Sequence, residues 1–206
     1  MKTIKELIPI GVRADLKASW HRATWSSRGY AVPAPTRVKK AVLSRYGNLT
    51  GTWVESGTYL GKTTLFLART AKHVFTIEPS PYLASRAKNK LRSKKNIDVI
   101  EGTSENVMPA LLETISGDVS FWLDGHTSGG ITFLGEQATP IREELAAIAA
   151  RLHTWDSVAV FVDDFRGFGE LRSGEGAYPS RSFLVDWAES VSLKWTIEHD
   201  IFVAWR

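Results

Sequence analysis

The stretch Thr52-Trp-Val-Glu-Ser-Gly57-Thr-Tyr-Leu-Gly61-Lys-Thr-Thr64 decides the fold of this chain. Its first five residues predict a buried strand. Gly57 and Gly61 then let the backbone turn sharply and approach a ligand closely. A predicted helix over 62–70 begins at once, so its positive N-terminal end faces whatever the turn holds.

Strands and helices alternate along the rest of the chain. This alternation predicts a parallel sheet with helices on both faces. The tight turn at His199-Asp200 adds an antiparallel hairpin at the end. The predicted fold is therefore α/β, a Rossmann-like doubly wound sheet of seven mostly parallel strands. The further strands are predicted at 73–77, 98–101, 119–123, 158–162, 194–198 and 201–205, and the further helices at 81–93, 104–115, 140–152 and 183–191.

The chain is predicted to divide into an N-terminal helical extension over 1–50 and the α/β domain over 51–206. The extension carries three aromatic side chains, Trp20, Trp25 and Tyr30. They either contribute to a substrate pocket or pack the extension onto the core, and packing is the commoner role of such residues.

The amino-acid composition limits the classes of protein to which the chain can belong. The chain has 206 residues, of which 43% are hydrophobic and 23% charged, as in soluble globular domains. It contains no cysteine, which excludes disulfides and cysteine–zinc sites. No apolar run approaches the ~20 residues of a membrane span, and the start lacks the pattern of a signal peptide. A cytoplasmic protein is the simplest interpretation.

The formal net charge of +4 is only mildly basic. Basic residues cluster on the predicted helix at 81–93 but are spread around it, which indicates a solvated helix more than a phosphate-binding patch. The charge thus favours a small-molecule partner over nucleic acid. A homo-oligomer is compatible with the sequence, which leaves the oligomeric state open. The clustered residues are Arg86, Lys88, Lys90, Arg92, Lys94 and Lys95.

Glu78 follows the second strand and lies 21 residues past Gly57. Dinucleotide-binding folds place the acid that binds ribose hydroxyls at about 20 residues from the glycine turn. The glycine turn, the helix and this acid together favour a ligand of the adenosine type.

Gly61-Lys62-Thr63 also resembles the end of a phosphate-binding P-loop, so a nucleotide-binding protein or kinase is an alternative. A P-loop requires a glycine at position 56, where this chain has Ser56. Glu55 beside the loop would repel a triphosphate but suits a cationic amino group.

Over about 52–165 these motifs resemble the class I S-adenosylmethionine-dependent methyltransferases, and more narrowly the metal-dependent O-methyltransferases of the catechol type and of the macrolide and aminocoumarin sugar type. The resemblance implies that Glu55 holds the methionine amino group of the cofactor and that Glu78 binds its ribose. The turn at 102–104 would contact adenine; many members have Asp where this chain has Thr103, so Ser104 is the better candidate there. The cofactor-binding residues implied are Glu55, Gly57, Thr58, Tyr59, Gly61, Thr63, Glu78, Pro79, Gly102, Thr103, Ser104 and Asp124.

Three carboxylates follow the fourth and fifth strands: Asp124, Asp163 and Asp164. Neighbouring strand ends can bring them around Mg²⁺ or another hard divalent cation, which prefers oxygen ligands. The resemblance implies the same set, with the metal chelating acceptor hydroxyls and lowering their pKa. The alternative is that Asp163 and Asp164 cap the next segment or pair with Arg166.

His126 is the predicted general base, because it lies two residues past Asp124 and can accept a hydroxyl proton. The catechol type has a lysine at the next position, where this chain has Thr127. The glycine-rich segments 127–135 and 167–182 are predicted loops beside the site.

The sequence therefore predicts a methyltransferase, in which Asp124 and His126 are catalytic and the substrate is a small hydroxylated acceptor, sugar or phenolic. Three alternatives stay open at this point: a P-loop kinase, an RNA methyltransferase with the same cofactor site, and a binding module without turnover.

Overall fold

The structure is a computed structural model and describes residues 9–124, 139–169 and 178–206. Within these ranges the strands are β1 Thr52–Ser56, β2 His73–Glu78, β3 Ile97–Glu101, β4 Gly117–Leu123, β5 Trp155–Val162, β6 Lys194–Glu198 and β7 Ile201–Trp205. The α-helices are α1 Ile10–Thr24, α2 Thr36–Tyr46, α3 Lys62–Leu67, α4 Pro81–Leu91, α5 Ser104–Glu113, α6 Ile141–Arg151 and α7 Arg181–Ser190. None of them is long and apolar enough to span a membrane.

The seven strands form one sheet in the order β3-β2-β1-β4-β5-β7-β6. The first five run parallel, whereas β7 lies antiparallel to both β5 and β6. The predicted doubly wound sheet and its terminal hairpin are confirmed. The chain winds outward from β1 in one direction and from β4 in the other, so the switch point, where such folds bind ligands, lies between β1 and β4.

Both faces of the sheet are buried, which explains why the central strands are almost continuously apolar. One face carries Val54, Phe121 and Val160 and is covered by α5, α6 and α7. The opposite face carries Trp53 and Phe161 and is covered by α2, α3 and α4. Alternate side chains of each strand therefore enter two separate cores.

Helix α2 of the predicted extension packs into the second core, where Val42 and Leu43 are buried. Trp25 is buried as well, and its ring packs edge-on against Tyr30 at 5.1 Å and against His199 at 5.7 Å. Trp20 is exposed. Packing onto the core is therefore the role that the structure shows for Trp25.

Helix α5 begins at Ser104, the first residue of the predicted helix, and ends two residues before the predicted end. Thr103 is its N-cap, with extended backbone angles of φ −83° and ψ 145°. Its carbonyl already accepts the N–H of Val107, so helical geometry starts at Ser104. Ser104 is buried at the first turn.

Candidate functional site

The turn between β1 and α3 folds back over the end of β2. The N–H groups of Gly57 and Thr58 both donate to the carbonyl of Ile77, at 2.9 and 3.3 Å. Gly61 has φ 66°, a left-handed conformation that glycine adopts without strain, and it is the N-cap of α3. The turn thus lies at the carboxyl edge of the sheet, as the glycine spacing predicts.

Glu55 is buried within this arrangement, and its Oε2 accepts hydrogen bonds from the hydroxyls of Thr64 and Thr76. Burial raises the pKa of Glu55 to about 7; the two hydroxyls oppose this rise, and the carboxylates of Asp124 and Glu78 add to it. A cation brought to this carboxylate would favour its ionised form. Glu55 is therefore suited to meet a charged amino group.

Glu78 ends β2 and is also buried. Its Oε2 accepts the N–H of Tyr59 at 2.8 Å, and its Oε1 accepts the N–H of Ser80 at 3.0 Å. These bonds hold the carboxylate in one orientation. An ionised carboxylate offers about four acceptor positions, so each oxygen retains capacity for a ligand hydroxyl.

The turn after β3 lies beside the end of β2. The N–H of Gly102 donates to the carbonyl of Glu78 at 3.1 Å. Gly102 has φ 151°, and a Cβ at this position would lie 2.8 Å from Cγ2 of Val107. Glu78 is thus the last residue of β2, and the predicted adenine-binding residues Thr103 and Ser104 lie just beyond the end of the adjacent strand β3.

Four carboxylates from four adjacent strands lie on one face of the sheet. Glu55 is paired in register with Thr76 of β2 and with Trp122 of β4, and Trp122 is paired with Phe161 of β5. Glu78, Asp124 and Asp163 each lie two positions further along these strands, and alternation keeps them on the same face. The row from β2 to β5 is Glu78, Glu55, Asp124 and Asp163.

Lys39 of α2 contacts the carboxylates at the β5 end of this row. Its Nζ donates to Oδ2 of Asp163 and lies 3.7 Å from Oδ1 of Asp164. Burial acts to lower the pKa of Lys39, but attraction to Asp163, Asp124 and Asp164 outweighs it and holds the pKa above its usual value. The ammonium therefore stays charged among these carboxylates.

Asp163 is itself buried, which raises its pKa to about 6; Asp124 adds to the rise, and Lys39 opposes it. Asp164, in the left-handed region at φ 54°, directs Oδ1 to the guanidinium of Arg166 at 3.0 Å. The pairing with Arg166 considered from the sequence thus occurs for Asp164, whereas Asp163 pairs with Lys39.

These contacts do not fit a divalent cation on Asp124, Asp163 and Asp164. An ammonium already lies against Asp163 and a guanidinium against Asp164, and each would repel a second cation. In the described part of the chain, no cluster of three or more acidic or histidine side chains is arranged as a metal site. The predicted magnesium site is therefore not supported.

The structure also bears on the P-loop alternative. The side chain of Lys62 pairs with Asp15 of α1, and the N–H groups of Gly57 and Thr58 are used by Ile77. A P-loop instead directs its lysine and its backbone N–H groups at phosphates. Glu55 and Glu78 beside the turn add negative charge that a triphosphate would meet.

The remaining predicted positions are placed as follows. Tyr59 is exposed, and Thr63 and Pro79 are half-buried. His126 and segment 127–135 lie outside the described residues, as do residues 170–177 of the segment 167–182, so the predicted base stays a prediction.

Three residues of the site were not singled out from the sequence: Lys39, Thr64 and Thr76. A signal for Lys39 exists, because it lies one helical turn before the buried Val42 and Leu43 and so shares their inward face. Thr76 lies opposite Glu55 only through strand register.

No protein-family model and no curated protein matches the chain in sequence. Solved structures do match its fold. A candidate rRNA methylase from Clostridium thermocellum is 12% identical, with a TM-score of 0.55 over 85% of this chain and 97% of that one. The YcgJ protein from Bacillus subtilis is 12% identical, with a TM-score of 0.52 over 78% of this chain and 69% of that one.

DhpI in a complex with SAM and HEP is 15% identical, with a TM-score of 0.50 over 94% of this chain and 97% of that one. At these identities the likeness concerns the fold. The chain has the Rossmann-like α/β fold of the S-adenosylmethionine-dependent methyltransferases.

Proposed function

We propose that this chain is an S-adenosylmethionine-dependent methyltransferase that acts on the hydroxyl group of a small acceptor. The observation that carries the proposal is Glu78, a buried carboxylate held by the N–H groups of Tyr59 and Ser80 beside the turn after β1. Acids at this position of a doubly wound sheet bind ribose hydroxyls.

The second carboxylate supports the same ligand. In the row along the sheet, Glu55 lies between Glu78 and Asp124, at the switch point between β1 and β4. The cationic amino group of a methionine moiety would offset the cost of an ionised, buried Glu55. Adenine would then lie beside the turn of Thr103 and Ser104, next to the end of β2.

The acceptor would enter at the β4 and β5 ends, beyond the cofactor residues. Its oxygen bonds to the methyl carbon, the carbon–sulfur bond breaks, and the electron pair goes to sulfur. Alignment of oxygen, carbon and sulfur supplies most of the rate. The hydroxyl proton leaves to a base, for which His126 is the candidate. No divalent cation takes part in this proposal, because the Lys39 ammonium lies against Asp163, and the Arg166 guanidinium, which also pairs with Asp200, lies 3.0 Å from Asp164.

An RNA acceptor is the second candidate, since one structure of the same fold is a candidate rRNA methylase. The basic residues of α4 argue against it. Lys90 donates to the carbonyl of Leu60, Lys88 lies 3.7 Å from Glu101, and Arg86 lies over the ring of Tyr82. These charges serve local contacts around the helix, which favours a small acceptor.

Calorimetric titration with S-adenosylhomocysteine and, separately, with ATP, each with and without Mg²⁺, tests the proposal. We expect S-adenosylhomocysteine to bind irrespective of Mg²⁺ and ATP not to bind. Binding of Mg²⁺-ATP alone would establish the P-loop alternative. Transfer of a labelled methyl group to hydroxylated compounds separates an enzyme from a binding module. A steep loss of affinity for an RNA oligonucleotide with added salt would favour an RNA acceptor.

A further inference from the structure

The β5 end of the carboxylate row contains a positive charge supplied by the protein itself. This charge is the ammonium of Lys39 on α2, and Lys39 lies 124 residues from Asp163 in the sequence. Its side chain is 19% exposed, so it is largely enclosed but not completely removed from solvent. Burying a lysine in this way costs both hydration and conformational freedom. An apolar side chain would pack α2 against the sheet without that cost.

The neighbouring lysine shows the difference. Lys40 lies one residue further along α2, with its Nζ 4.9 Å from the centroid of the Phe66 ring. Burial, together with Arg69 and Lys62, lowers the pKa of Lys40. Lys39, by contrast, faces two carboxylates and the nearby charge of Asp124. The two side chains thus leave the same helix toward opposite electrostatic environments.

We propose that the Lys39 ammonium takes the place of a divalent cation in this site, and that it provides the positive charge next to the acceptor oxygen. This inference rests on the proposed function for the identity of the acceptor. Asp163 and Asp164 hold the ammonium, and an ammonium has three N–H donors, so it can still donate to an oxygen beside the methyl group. The site therefore needs no metal.

The inference predicts that removal of the charge on Lys39 creates a metal site. Lys39→Met keeps a side chain of similar length but removes the ammonium from Asp163 and from the neighbourhood of Asp124, whereas Arg166 stays beside Asp164. We expect Mn²⁺, followed by electron paramagnetic resonance, to bind Lys39→Met at least about tenfold more tightly than the unaltered protein, because an ammonium no longer repels a hard metal ion from the Asp163 carboxylate. Lys39→Arg keeps the charge and should gain no Mn²⁺ affinity.

Two control variants test whether the gain in Mn²⁺ affinity comes from the loss of the Lys39 charge beside Asp163. Lys40→Met removes a charge from the same helix and should leave Mn²⁺ binding unchanged. Asp163→Asn, added to Lys39→Met, should abolish the gained affinity. The fold of each variant is checked by circular dichroism and by its affinity for S-adenosylhomocysteine, which involves residues on other strands.

The inference is overturned if the unaltered protein binds Mn²⁺ tightly and loses it in Asp163→Asn, or if folded Lys39→Met gains no affinity. The titration with S-adenosylhomocysteine decides the proposed function independently. If the protein binds no S-adenosylhomocysteine but Lys39→Met gains a Mn²⁺ site, the proposed function is overturned and the role of Lys39 as a cation in the site still holds.

Discussion

Oε2 of Glu55 accepts the hydroxyl of Thr76, 2.7 Å away on the neighbouring strand, and the carboxylate is almost completely enclosed. The same hydroxyl group lies 2.6 Å from that of Thr58 in the turn. The turn, β1 and β2 are therefore joined through one buried acid. Because burial raises the pKa of Glu55 to about 7, the protonation state of its carboxyl group changes near neutral pH.

We expect the affinity for S-adenosylhomocysteine to rise with pH. The pKa of Glu55 is raised, and its ionised form is the one that attracts the ligand amino group. Between about pH 6 and about pH 8 the affinity should increase about tenfold, as one ionisation requires. Calorimetry across this range measures it, and Glu55→Gln should bind more weakly with a flat profile. An equal slope in both proteins would assign the pH dependence to another group.

The ligand-free protein should be more stable with glutamine at position 55 than with glutamate, above neutral pH. For an acid whose pKa is raised on folding, the contribution to stability is present below its unfolded pKa and is lost as the pH rises through about 7. Glutamine keeps an acceptor for Thr64 and Thr76 without this loss. We expect Glu55→Gln to raise the free energy of unfolding by about 1–3 kcal/mol at alkaline pH, measured by urea denaturation. A gain of the same size at acidic pH would contradict this explanation.

Thr76→Val should move the pH midpoint of ligand binding upward. The Thr76 hydroxyl donates to Glu55 and lowers its pKa against the effect of burial, so its loss leaves the acid harder to ionise. We expect a shift of about one pH unit in the calorimetric profile. Thr52→Val, at the opposite end of β1, is the matched control and should leave the midpoint unchanged.

Glu78→Ala should weaken S-adenosylhomocysteine binding while the fold persists. Two hydroxyl contacts to a charged acceptor are worth about 2–3 kcal/mol, which corresponds to a loss of affinity of about thirty- to 150-fold. Glu101→Ala is the matched control, because Glu101 is the register partner of Glu78 on β3 but is exposed and pairs with Lys88. Similar losses in both variants would mean that the ribose site is misplaced.

The sequence alone determined the sheet, because strand and helix periodicities are local properties of the chain. The alternation after Gly57, the apolar strand at 158–162 and the hairpin turn at His199-Asp200 predicted the observed order of elements along the chain. The positions of Glu55 and Glu78 at strand ends also follow from local pattern, since all parallel strands end at the same edge.

Only the tertiary structure decided what the acids contact. Thr76 meets Glu55 through the register of β1 and β2, and Lys39 meets Asp163 across 124 residues of sequence. A pattern of acids at strand ends is the same whether a metal ion or an ammonium neutralises them. Packing of α2 against the sheet selects the ammonium, because it brings Lys39 to Asp163 on the face that the acid occupies.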